Sequence, residues 1–138
     1  MDVSQSCVAV MFDLRTSFLG QDSNTGLLVA TQVVLCEMRL DPAGVAEREP
    51  HPRLANMVGE SRVTRENGEW STSIVLFFGG DISIRARRAK FHAGNVDLGR
   101  HQHQQPDFGL DSAEVINARM PSWDSLIEVV STSSLELP

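Results

Sequence analysis

Two clusters in this 138-residue chain hold side chains able to do chemistry. His101-Gln102-His103 sets two imidazoles on one side of an extended segment, with His92 and Asp107 close by, so three nitrogen or oxygen ligands could reach a metal ion. The neighbouring glutamines and Pro106 equally describe a solvated polar loop. Arg85, Arg87, Arg88, Lys90 and Arg100 form the second cluster, and Lys90 is the chain's one lysine. Guanidinium forks bind carboxylate or phosphate bidentately, so this run is either an oxyanion site or a strand face offset by acidic residues. No P-loop, Gly-x-Ser-x-Gly, His-Glu-x-x-His or Gly-rich dinucleotide fingerprint is present, and Ser, His and Asp nowhere fall at a spacing that marks a triad. The sequence therefore calls for no cofactor and no covalent catalysis.

Composition narrows the setting. Twelve basic against 18 acidic residues give a net charge of −6, which argues against a nucleic-acid partner. The 41% hydrophobic and 22% charged fractions belong to a soluble globular chain, and the length fits one domain over 1–138 that needs no metal or disulfide for its core. No apolar run approaches the ~18 residues of a membrane span, and residues 1–15 lack a basic leader region, so the expected location is cytoplasmic. Cys7 and Cys36, without Cys-x-x-Cys spacing, read as buried thiols.

The elements that must position such groups are mostly strands. Val8, Val10, Phe12 and Leu14 share one face of a strand over 6–15, and a second strand runs over 27–40, with Gln32 as a bulge signal or an inward polar group. The Pro-rich segment 41–53 is a lid or a plain connection. Asn67-Gly68 supplies the positive φ pair of a two-residue hairpin. Centred there, the register sets Arg65 opposite Trp70, Val63 opposite Thr72, Ser61 opposite Ile74, Gly59 opposite Leu76 and Met57 opposite Phe78. A further hairpin at Gly79-Gly80-Asp81 keeps Ile82, Ile84 and Ala86 on that same face, and the phase change at Arg87-Arg88 predicts a bulge. Asp111 with Glu114 resembles a capping box for a short helix over 112–120, a segment that also suits a strand, and residues 125–137 read as a last strand. These elements make an all-β fold, an antiparallel barrel of about eight strands with little helix. Strands apolar on both faces need a covering layer, which a homodimer would supply.

The inward face of this barrel carries Met38, Met57, Trp70, Thr72, Ile74, Leu76, Phe78 and Phe91, with Trp123 near the end. Gln32, Ser61 and Thr72 are its polar groups. Its interior is either filled by these side chains or open to a small hydrophobic substrate. The order Leu40-Asp41-Pro42-Ala43-Gly44, Val58-Gly59, Asn67-Gly68 and Gly80-Asp81-Ile82 resembles the allene oxide cyclase-like barrels over residues 28–91, a group that includes small bacterial spirotetronate and polyketide cyclases. That resemblance implies a cofactor-independent cyclase whose apolar cavity pre-folds a polyketide-type substrate for intramolecular cycloaddition. Gln32 and Ser61 would then polarise a carbonyl. His101-x-His103-x3-Asp107 also resembles the first cupin motif, although no histidine follows position 103. A non-catalytic acidic binding or inhibitor module acting on a protein partner is the alternative.

Overall fold

A computed structural model of the chain describes residues 2–4, 7–15, 22–40, 58–76, 79–102, 104–107 and 110–135. Among the described residues seven strands form one sheet: β1 (Asp2–Ser4), β2 (Cys7–Asp13), β3 (Thr25–Leu40), β4 (Val58–Glu66), β5 (Glu69–Leu76), β6 (Gly80–Val96) and β7 (Ile127–Ser134). Between β6 and β7 lie a 3-10 turn at Gly99–His101 and one helix, α1 (Ala113–Ala118). Hydrogen bonding orders the sheet β1-β2-β3-β6-β5-β4, with β7 attached to β6 off that path. The all-β expectation holds and the closed barrel does not: β1 and β4 end an open path. The reason lies in β6, which gives residues 81–86 to β5 and residues 90–96 to β7. Its length serves two partners in succession instead of the staggered closure a barrel requires. The segment 41–53, together with Met57 and Phe78, lies outside the described residues.

The chain divides into two compact units, one of Ala9–Val29 with Lys90–Ser134, the other of Asp2–Val8, Ala30–Ala89 and Leu135–Pro138. In the second, Asn67 and Gly68 both adopt positive φ, and the hairpin register is the one their chemistry dictates. Arg65 pairs with Trp70, Val63 with Thr72 and Ser61 with Ile74, but an irregularity between Val58 and Glu60 sets Val58, not Gly59, against Leu76. Pairing of Val75 with Asp81 puts Asp81 in the ladder, so the second turn lies earlier than its Gly-Gly-Asp sequence suggests. Ile82, Ile84 and Ala86 still face Ile74, Thr72 and Trp70. This face is the unit's core: Trp70, Ile74, Leu76, Ile82, Ile84, Ala86 and Ala89 are all buried. Burying each large side chain contributes about 1.5–3 kcal/mol.

In the first unit a side chain completes the ladder. Asn24 Nδ2 donates to the Val96 carbonyl at 2.8 Å and Asn24 Oδ1 accepts from the Val96 amide at 2.9 Å, so a buried amide copies the pairing of a strand backbone. Where β6 meets β7 the register shifts between Ala93 and Gly94, and a Cβ at Gly94 would stand 2.4 Å from the Glu128 carbonyl oxygen. Only glycine lets the two backbones approach so closely. Helix α1 resolves the ambiguity over 112–120. Its N-cap is Ser112, whose hydroxyl accepts from the Val115 amide, while Asp111 is engaged elsewhere. Cys7 and Cys36 are half-buried, a correction to the expected full burial.

Candidate functional site

Trp70 sits mid-row in three strands, with Arg65 across one ladder and Ala86 across the other. Residues directly opposite in a sheet share a face, so Arg65 stands over the same surface as the indole. The opposite face holds Glu69 and Arg85, where Arg85 Nε lies 3.3 Å from Glu69 Oε2. Beyond Ala86 the alternation of β6 slips: Ala86 and Ala89 are both buried, with Arg87 and Arg88 exposed between them. In a regular strand consecutive side chains point to opposite faces. The slip falls where the sequence predicts a phase change, and it leaves both arginines exposed side by side in the chain.

These pieces line a groove of about 200 Å³ walled by Arg65, Glu69, Trp70, Arg87, Arg88 and Leu135, with Gly68 at its lip. Leu135 is held there by its amide, which donates to the Ala89 carbonyl at 2.9 Å. Arg65, Arg87 and Arg88 have no ion-pair partner among the described residues, whereas the one carboxylate in the wall, Glu69, already has Arg85. Trp70 is 2% exposed, and its Nε1 donor is buried without an acceptor. A buried donor left unpaired costs about 1–3 kcal/mol, and native folds seldom leave one without a reason. The arrangement can hold an oxyanion through the charged forks of its arginines, with the indole as a wall beside them.

The other residues singled out in the sequence fall elsewhere. Thr72, Ile74 and Leu76 are buried beside Trp70, but the Thr72 hydroxyl is spent on the Arg62 carbonyl at 3.0 Å. Gln32 takes φ 54° and is exposed, so it is the irregularity in β3 and not an inward polar group. Ser61 is exposed on β4. Met38 and Trp123 are 44% and 51% exposed, outside any buried wall. Phe91 packs against Phe12, ring centroids 6.1 Å apart, in the other unit. Lys90 and Arg100 do not line the groove.

Among the described residues no three His, Cys, Asp or Glu side chains converge as metal ligands. His92 Nδ1 bonds the Thr132 hydroxyl at 2.8 Å, and His103 is outside the described residues. His101 belongs to a different construction. Arg15, whose side chain is 1% exposed, forks onto the carboxylate of Asp13 and donates to the His101 and Gln104 carbonyls at 2.9 and 2.8 Å. Its remaining reach ends on Met120 Sδ. Nearby, Asp111 Oδ2 accepts from Arg119 at 3.3 Å and from the Asp107 amide at 2.8 Å. Arg100 Nε donates to His101 Nε2 at 3.3 Å, which leaves the proton on the buried, unpartnered Nδ1. Loss of solvent, then the charges of Arg119, Arg100 and Arg15, hold this imidazole below its ordinary pKa; Asp111 opposes them.

Arg65 is absent from the basic run that the sequence highlights because it lies on another strand. Two sequence signals together locate it: the Asn67-Gly68 register, which places it over Trp70, and the phase change at Arg87-Arg88. Compared with known protein families, with curated proteins and with solved structures, the chain has no match.

Proposed function

We propose that this chain is a binding module whose ligand presents an oxyanion to the groove between β4, β5 and the phase slip of β6. The observation that carries this reading is the set of three arginines, Arg65, Arg87 and Arg88, that line one groove and have no ion-pair partner among the described residues. A chain of net charge −6 concentrates positive charge there, and an anion would relieve the mutual repulsion of the guanidinium groups. The test is titration with small carboxylates and phosphates at low ionic strength, read by Trp70 fluorescence in a Trp123→Phe background. Saturable change that Arg65→Ala and Arg87→Ala abolish is the expected result; an unresponsive indole across the whole set overturns the reading.

One observation favours a second reading. Trp70, Thr72, Ile74 and Leu76 do share one buried face, as a substrate-shaping wall would. On this reading the arginines hold the carbonyl or carboxylate end of a polyketide-type chain and cyclisation gains its rate from proximity. The groove is smaller than the ~300 Å³ at which drug-sized ligand sites begin, which favours binding of something smaller. Cyclised product from a linear polyene incubated with the protein would decide for the second reading.

A further inference from the structure

Resting on the oxyanion reading, we infer that the groove's ligand is a small phosphomonoester, bound as its dianion. The charge count selects it. Arg65, Arg87 and Arg88 contribute three positive charges and Glu69, which is paired with Arg85, one negative, so the wall carries a net charge of +2. A monocarboxylate leaves one of these charges uncompensated; a phosphoryl dianion matches both and offers three terminal oxygens to the planar forks. Its tetrahedral head has acceptor sites in more than one plane, so the arginines, which come from two different strands, need not be coplanar to be satisfied together.

Size and field confine the remainder of the ligand. About 200 Å³ holds a phosphoryl group and a small organic body, for which Trp70 and Leu135 supply the apolar wall. A polyanion such as a nucleic acid would extend past the groove onto a chain whose net charge is −6 and would be repelled there. The ligand is therefore a small metabolite and not a polymer.

The experiment compares phenyl phosphate, phenyl sulfate and benzoate at matched ionic strength on the full chain carrying Trp123→Phe. These probes share one ring and differ in head geometry and charge. The expected order is phenyl phosphate tightest, by about tenfold over each of the monoanions, the ratio that one additional favourable contact of ~1.4 kcal/mol gives. Its affinity should rise with pH through the second phosphate pKa of ~6, while that of benzoate stays level. Arg87→Ala should erase the preference. Because Arg87 is exposed, that variant folds, and unchanged thermal unfolding verifies it. Equal or tighter binding of benzoate or phenyl sulfate overturns the phosphomonoester and leaves the oxyanion reading standing. Absence of binding by all three overturns both.

Discussion

Arginine is used in two opposite ways in the two units. Arg15 is 1% exposed, and its donors are spent on Asp13, two backbone carbonyls and a thioether. Arg65, Arg87 and Arg88 are exposed and have no carboxylate partner among the described residues, although Glu69 stands in the same wall. A buried guanidinium persists only when every charge and proton it carries is answered, so Arg15 is a tie that fastens the segment around 101–104 to the end of β2. An unanswered set at the surface contributes nothing to folding and is retained at some electrostatic cost. The contrast separates cations that hold the fold from cations that await something, and it turns on the partners of each side chain.

Substitutions can break or sharpen that contrast. Arg15→Ala strands the buried Asp13 carboxylate and takes the donor from the part-buried His101 carbonyl, and equilibrium denaturation should show a loss of about 3–5 kcal/mol. A loss below about 1 kcal/mol would mean that Arg15 is not a tie. Asn24→Ala removes the side chain that completes the ladder at Val96, leaving a buried N–H and C=O unpaired; about 1–3 kcal/mol should disappear in the same assay.

His101 gives a pH signature with a definite sign. Its folded pKa lies below its ordinary value of 6.5, so below that pH the unfolded chain takes up a proton that the folded chain resists. Stability should therefore fall as pH drops from 6.5 towards the folded pKa and be unaffected above it. Subtracting the profile of His101→Gln from that of the parent isolates the effect, and a flat difference across that window would refute it. Arg65→Ala and Arg87→Ala belong at the small end: each should move stability by less than about 0.5 kcal/mol while abolishing anion-dependent fluorescence. A large drop in melting temperature for either would place it with Arg15 and remove the distinction.

Local chemistry explains which parts were legible in advance. Asn67-Gly68 encodes its own turn, and because side chains alternate strictly, the turn fixes which residues share the Trp70 face. The hairpin core of Trp70, Ile74, Leu76, Ile82 and Ile84 followed from that rule. Register farther from the turn was less secure, as the slip at Val58 and Glu60 shows, since each irregularity shifts everything beyond it. Asp13 and Arg15 look like the solvent-facing end of a strand by composition, yet both are buried. Two opposite charges two residues apart lie on one face of a strand, and only the carbonyls of a distant turn convert that pair into an interior group.

Alternation and turn residues by themselves determined the strands, the hairpin and its buried face, because these depend on neighbours within a few residues. Whether the sheet closes depends on how β6 divides its length between β5 and β7, which no local pattern encodes, and the open path was decided there. The groove is likewise a product of tertiary structure. It joins Arg65 to Arg87 and Arg88 across strands, and what a charge lacks is defined only once every element around it is in place.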